Sequence, residues 1–442
     1  MHQAPPTSGV FISRHLGLLL CNIAIMKRFL PLLLILPLLL WVACEDEDTS
    51  TPEIEPTEDC AGVLGGDNIC GCTDSNSSNY DSEATFDDGS CQYIFFNIYG
   101  GSEDDNGNSV QQTTDGGYIV LGFTGCWDNC DVWLIKTDIY GNEEWNQTYG
   151  GNGSDRGESV QQTSDGGYII FATTNSFSGN GLWLIKTDSN GNEEWNQTFA
   201  GTEANSVQQT SDGGYIITGA ITIDTYTVLL IKADSQGNEE WHKTFDYTEI
   251  GGDNGLSVKQ TTDGGYIITG YTSADYPYSD ALLIKTDING NEEWHQTYGG
   301  NGYDRGESVQ QTSDGGYIIF GELSDSPVLF KTDSQGQEQW RKILEGSRAW
   351  SGQQTIDGGY IVTGSAGTAI GAFLVKTDSN GNEVWRKIFG GLGVNGDWGY
   401  SVQQTSDGGY VITGGTTSFG DGYKSDIWLI KTDSEGNTTD NP

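Results

Sequence analysis

The stretch Ser159–Thr174 reads SVQQTSDGGYIIFATT, and close copies of its first ten residues begin at Ser109, Ser206, Ser257, Ser308, Ser351 and Ser401. The aspartate of the shared DGG stands at Asp115, Asp165, Asp212, Asp263, Asp314, Asp357 and Asp407, so the copies are 50, 47, 51, 51, 43 and 50 residues apart. A period near 50 is the length of one supersecondary unit that buries its apolar faces only against its neighbours. The repeat therefore decides the architecture of this 442-residue chain before its length is converted into a domain count.

Each copy parses into strands. In the second, SVQQT is a short strand, and SDGG is a turn whose Asp-Gly suits the positive φ of a tight hairpin. YIIFATT is a second strand; after a loop of changing length, LWLIKTD gives a third, SNGN another tight turn and EEWNQTF a fourth. The runs YIITG and VWLIK are continuously apolar, as expected of strands covered on both faces, and stacked neighbouring sheets supply that cover. Six fourth strands carry a tryptophan, Trp145, Trp195, Trp241, Trp294, Trp340 and Trp385, placed to wedge between adjacent sheets.

The two ends of the repeat region settle how the sheets close. The last copy stops after DIWLIKTDSEGNTTDNP, without a fourth strand, while QYIFFNIYGG before the first copy matches EEWNQTYGG, with Phe95 in the tryptophan position and Tyr99 in register. An N-terminal strand that completes the last sheet closes a ring and hides two sheet edges. The reading is an all-β chain, a seven-bladed β-propeller of four-stranded antiparallel blades over residues 94–442. SVQQ is then the innermost strand, its glutamines and threonines facing the central channel or bonding between blades.

Residues 1–43 read as an upstream extension followed by a lipoprotein signal peptide, with the true start at Met26. Lys27 and Arg28 precede the apolar run FLPLLLILPLLLWVA, which is short for a membrane-spanning helix. WVAC resembles a bacterial lipobox, which implies lipidation at Cys44 and membrane contact through that anchor only; EDEDTS after it resembles the acidic export tag of some Gram-negative surface lipoproteins. The expected location is the outer membrane, facing the cell exterior. Residues 44–58 form an acidic, proline-bearing tether without apolar period.

The net charge of −42 becomes about −45 when Arg14, Lys27 and Arg28 leave with the signal. Such a surface repels nucleic acid, so a nucleic-acid partner is excluded. Cys60, Cys70, Cys72, Cys91, Cys126 and Cys130 are an even set, as expected of an exported chain held by three disulfides. Cys126 and Cys130 close within one loop; for the others Cys60–Cys70 with Cys72–Cys91 is the simplest pairing, which spacing alone does not fix. Residues 59–93 form a small Cys-rich module whose GCTD, NY and DDGSC segments resemble a short module of secreted bacterial proteins. Asp74, Asp81, Asp87 and Asp88 there are candidate calcium ligands, although their spacing does not fit an EF-hand loop.

Function is expected on one face. In a four-stranded meander, the first-to-second and third-to-fourth turns share a face, here written near-identically as SDGG and DSNGN. The blade links and second-to-third loops share the other face and vary from copy to copy, and variable loops on a rigid scaffold are where binding is built. The candidates there are Asp155 and Arg156 (with Glu158), Tyr303, Asp304 and Arg305 (with Glu307), Trp350, Trp398 and Tyr400, with Trp127, Asp128, Tyr276, Tyr278, Phe419, Tyr423 and Lys424 from loops inside blades. Aromatics beside carboxylates and an arginine suit a carbohydrate or a surface-protein ligand.

Catalytic sets are largely excluded by inventory. Outside the N-terminal extension the only histidines are His242 and His295, at outer-edge positions, so triads and histidine-based zinc sites lack their parts. Carboxylate-pair hydrolysis of a polysaccharide stays open as the alternative to a non-enzymatic binding or adhesion platform. No cofactor is expected, calcium apart. The copies of SVQQTSDGGYIITG with LIKTDSNGNEEW resemble the repeat of bacterial and archaeal cell-surface β-propellers over residues 94–437, and KTDSNGNEEW also resembles the strand-turn-strand of quinoprotein-like propellers. The resemblance implies fold and leaves the ligand open.

Overall fold

The innermost strand of each blade, for example Asp155–Gln162, pairs antiparallel with Tyr168–Thr174, which pairs with Gly181–Thr187 and then Glu193–Phe199. The computed structural model describes residues 58–439 except 65, 127–128, 177–180, 249–250, 274–277, 368–370, 392–395 and 420–423. All of them belong to one compact unit, Thr57–Pro442. Seven such four-stranded antiparallel sheets follow one another as the blades of a propeller, and no helix occurs among the described residues.

The split blade closes as read. Asp397–Gln404, Tyr410–Thr416 and Asp426–Thr432 are completed by Phe95–Tyr99, with Phe95 opposite Lys431 and Tyr99 opposite Ile427. In the second blade Trp195 stands opposite Lys186, so Phe95 does occupy the tryptophan position. These aromatics are wedges: a Cβ added at Gly191, whose φ is +77°, would meet Trp145 of the preceding blade at 2.6 Å. Seven apolar clusters form the core, each built from two adjacent blades and none from a single blade. One of them joins the last blade to the first through Phe95, Val110, Val411 and Leu429.

The SVQQ phrase satisfies backbone groups. An innermost strand has no partner on its channel side, and an unpaired N–H costs about 1–3 kcal/mol when buried. Side chains of the neighbouring blade supply the acceptors. Ser109 Oγ accepts from Val160 N and Gln111 Oε1 from Gln162 N, while Gln162 Oε1 turns back to accept from Thr114 N. The same links close the ring, from Val110 N to Ser401 Oγ and from Gln112 N to Gln403 Oε1.

A second device repeats within blades. The third-strand lysine of LIK is buried, and its ammonium pairs with the DGG aspartate of the same blade, as in Lys186–Asp165 at 3.0 Å and Lys376–Asp357 at 2.9 Å. In the first four blades a fourth-strand glutamate joins, such as Glu194 on Lys186; the fifth and sixth have Gln339 and Val384 there. Burial raises the carboxyl of Asp165, but the Thr163 hydroxyl, the Lys186 ammonium and Gly167 N–H outweigh it and hold the group at about 2. Asp212, Asp314 and Asp357 are held at about 2 in the same way.

All three disulfides take the simplest pairing, Cys60–Cys70, Cys72–Cys91 and Cys126–Cys130. The Cys-rich module docks on the face of the near-identical turns. Asp74 accepts from both Tyr93 and Tyr140 hydroxyls, at 2.9 and 3.2 Å, and the two rings meet edge to face at 5.1 Å. Tyr140 interrupts the Asp-x-x-Gly-Asn turn of the first blade where the others carry Asn, Gln or Glu, and docking accounts for it.

The lysine pairs give a direct test. Asp357→Asn keeps the turn acceptor but leaves buried Lys376 without a carboxylate, at an expected cost of about 2–3 kcal/mol, below a fully buried pair because the aspartate side is exposed. Asp165→Asn leaves Glu194 in place and is expected to cost less than half as much. Because the folded carboxyls lie near 2 and unfolded ones near about 3.9, the stabilisation is complete above about pH 4 and lost as pH falls through 2. Denaturant midpoints should therefore separate wild type, Asp165→Asn and Asp357→Asn at pH 7 and converge below pH 2.

Candidate functional site

The innermost strands share one irregularity, on the variable face. Between Gly157, opposite Ala172, and Ser159, opposite Phe171, residue Glu158 has no partner across the sheet. The same one-residue bulge occurs in every blade and singles out Asn108, Glu158, Asn205, Leu256, Glu307, Trp350 and Tyr400. A bulge frees a side chain from the alternation of the strand and re-aims it. The residue before each bulge is Gly or Ala because the preceding blade lies against it: a Cβ at Gly306 would meet Thr269 Oγ1 at 2.1 Å. All seven bulged residues are half-buried, and neighbours meet from blade to blade, as Asn108 with Glu158 and Trp350 with Tyr400.

One side of this ring is aromatic. Trp350 and Tyr400 meet at 4.9 Å between centroids, and Trp398 stacks on Tyr400 at 6.5 Å with an interplanar angle of 17°. Arg348 lies 5.8 Å over Trp350, donates from Nε to Glu307 Oε1 at 2.9 Å and stands 3.5 Å from Glu322. Flat apolar faces thus adjoin an arginine held between two carboxylates. Burial pushes the Tyr400 hydroxyl up to about 12, opposed by Arg348 and reinforced by Glu158.

The other side is polar. Asn108 Nδ2 donates to Gly157 O and Glu158 Oε2, at 2.9 and 3.1 Å, and Asn205 Nδ2 donates to Asn254 Oδ1 at 2.9 Å. Glu158 is the titratable group that stands out: burial pushes its carboxyl up to about 8, with Arg156 opposing and Glu203 adding. A carboxyl in that state carries its proton at neutral pH.

The sequence candidates divide on this geometry. Trp350, Trp398 and Tyr400 come together, whereas Asp155 and Asp304 are buried at 0% exposure and serve as loop anchors. Asp155 accepts from Thr174 and Ser176 hydroxyls and from Gly151 N, and Asp304 from Gly300 N and Ser324 N, so neither is presented to a ligand. Arg156 and Arg305 lie over rings of the preceding blades, Phe123 at 5.1 Å and Tyr271 at 4.5 Å. Tyr303 is 50% exposed and meets Tyr278 at 6.2 Å, a separate aromatic pair. Phe419 packs on Phe96, and Lys424 pairs with Glu103 at 3.1 Å. Trp127, Asp128, Tyr276, Tyr423 and Cys44 lie outside the described residues.

Asp74, Asp81, Asp87 and Asp88 do not gather. Each accepts from the backbone N–H two residues on, as in Asp81 with Glu83 N at 2.9 Å, and among the described residues no group of three or more His, Cys, Asp or Glu is arranged to hold a metal ion. His242 and His295 are exposed on outer strands beside Glu239 and Glu292. Sequence reasoning named Glu158 and Glu307 on the variable face but missed that both stand at the bulge, and missed Arg348, which the fold brings to Glu307 and Glu322, because the bulge leaves no compositional mark.

The raised carboxyl has a stability signature. The unfolded value is about 4.3, so the stability tied to the neutral form of Glu158 is complete below that pH and lost as pH rises through about 8. Glu158→Gln mimics the neutral form. Thermal unfolding should find the variant more stable than wild type by a few degrees at pH 9 and unchanged at pH 4.

The chain is similar to the WD40 β-propeller domain of Doa1, with a TM-score of 0.50 and 14% identity over 77% of this chain and 97% of that one. Raptor of Chaetomium thermophilum gives 0.51 at 8% identity, over 78% of this chain and 30% of that one. A protein of unknown function from Dyadobacter fermentans gives 0.48 at 11% identity, over 77% and 98%. No protein-family model matches the chain, and no curated protein matches it. At these identities the likeness establishes the fold alone, a β-propeller.

Proposed function

We propose that this protein is a non-enzymatic binding or adhesion platform displayed on a bacterial cell surface, and that its ligand is a carbohydrate seated on the aromatic side of the bulge ring. The observation that carries the reading is the cluster of Trp350, Tyr400 and Trp398 beside the Arg348–Glu307–Glu322 network. Sugar rings stack their apolar faces on aromatics, while charged and amide groups at the rim fix hydroxyl positions. The half-buried rings lose little conformational freedom when they bind. Display at the surface through a lipidated Cys44, with residues 44–58 as tether, rests on the lipobox-like WVAC, the acidic segment after it and the resemblance of the repeats to cell-surface propellers. Three disulfides suit an oxidising compartment.

A second reading is favoured by one group. Glu158, proton-bearing at neutral pH, has the property a glycosidase asks of its general acid, with a second carboxylate on the same ring as its partner in a polysaccharide-degrading enzyme.

A glycan and polysaccharide binding screen of the purified chain, with calcium and with chelator, separates these readings if the bound sugars are then analysed for cleavage. Saturable binding without breakdown is expected, weakened at least tenfold by Trp350→Ala or Trp398→Ala and unaffected by Tyr303→Ala, which lies off the ring. Breakdown abolished by Glu158→Gln would establish the enzyme instead. Failure to bind any sugar would overturn both and direct the search to surface proteins.

A further inference from the structure

Three residues along each innermost strand from the bulge, roughly 10 Å at about 3.3 Å per residue, lies a second ring around the channel. It consists of Gln111, Gln161, Gln208, Gln310, Gln353 and Gln403, with Lys259 in the fourth blade. The six glutamines are oriented by their bonds between blades. Each Oε1 accepts a backbone N–H of the following blade, at 2.6 to 2.9 Å. Only the oxygen of a carboxamide accepts, so the remaining end of each side chain is an NH2 group, a donor only. No protein acceptor lies within hydrogen-bonding distance of these NH2 groups among the described residues.

Lys259 breaks the pattern at a cost. An ammonium cannot accept, so Gln311 N lacks the bond that its six counterparts make, worth about 1 kcal/mol. Among the described residues Lys259 has no ion-pair partner, whereas every third-strand lysine is paired with an aspartate. The surrounding cavity, about 520 Å³, is lined by Ser, Val, Gln, Thr, Gly and this one Lys. Among the described residues no aspartate or glutamate lines it. Burial in the channel lowers the pKa of Lys259, an effect that a bound negative charge reverses.

We infer that the central channel binds a small oxyanion, a carboxylate, sulfate or phosphate group, held by the Lys259 ammonium and the glutamine NH2 ring. Six glutamines and one cation line a polar space in which the glutamine Oε1 atoms are already engaged between blades, leaving their NH2 groups and the ammonium as donors for an anion with several oxygens. The repulsion from the acidic exterior acts at longer range and is screened beyond about 8 Å at physiological ionic strength. This site is separate from the bulge ring and does not depend on the carbohydrate reading.

Isothermal titration of the purified full chain at 0.15 M ionic strength tests it, with sulfate, inorganic phosphate and succinate as probes against chloride. One saturable site per chain is expected for at least one probe, and the preferred probe tells a tetrahedral oxyanion from a carboxylate. Two variants keep the fold. Lys259→Gln restores the seventh interblade bond, and Gln310→Glu retains the acceptor for Gln354 N while giving Lys259 an internal carboxylate. Both should weaken the anion at least tenfold, and Lys259→Gln should also raise Tm in chloride. Absence of binding by every probe in wild type, or equal affinity in wild type and both variants, would overturn the inference. A general salting effect would stabilise all three proteins alike and so count against it.

Discussion

The free inner edge of the innermost strands is the constraint on which the rest of the molecule depends. Seven strands turn their unpaired N–H groups toward a channel, and no further strand can join them there. The chain answers with side chains: the serine and first glutamine of one blade satisfy the next, and the second glutamine reaches back to the preceding turn. This explains why a phrase almost without apolar residues is written seven times. It also explains why the ring must close. The acceptors for the first blade come from Ser401 and Gln403 of the last, so those N–H groups would be orphaned in an open array. The strand Phe95–Tyr99 brings the two ends together from the outside of the same blade.

A second regularity follows from putting charge inside such a stack. Each blade buries one lysine, and all but the last, where Asp407 is half-buried, leave the paired aspartate exposed, so seven of the 20 basic residues are withdrawn from the surface. Fourth strands add pairs of exposed acids, as at Glu143 and Glu144. The exterior is therefore more acidic than a net charge of −42 indicates, which favours solubility and keeps polyanions away. The lysines at the same time tie the first hairpin of a blade to its third strand, a link between residues about 20 apart that apolar packing alone would leave free to slip in register.

Much of this was legible in the sequence, for identifiable reasons. Turn chemistry and continuous apolar runs repeat with a fixed period, so blade number and strand order follow; the split last copy gives the closure, and Phe95 for tryptophan gives its register. The pairing of Lys186 with Asp165 was not visible, because a lysine at the end of an apolar run reads as a solvated tip until the hairpin geometry brings the aspartate to it. By chemical type Asp155 and Asp304 suit a ligand, whereas the fold turns them inward to hold loops. Tyr140 carries no signal of its own within a variable turn, and its part in the fold comes only from the Cys-rich module that docks on it.

The bulge explains where the scaffold is free to carry function. Along the innermost strand almost every residue is already committed. The serine and glutamines accept backbone N–H groups, the valine enters an interblade core, and the glycine before the bulge admits the neighbouring blade. The bulged residue alone lacks a partner across the sheet, and at that position the blades differ most, carrying Asn, Glu, Asn, Leu, Glu, Trp and Tyr. A side chain there can change without orphaning a backbone group, so chemistry accumulates at no structural cost. The glutamine ring is the opposite case, since each change removes a bond between blades. Lys259 departs from a position under structural demand. Variation at the free position is expected of any scaffold, whereas loss at the committed one asks for a return, and a bound anion supplies it.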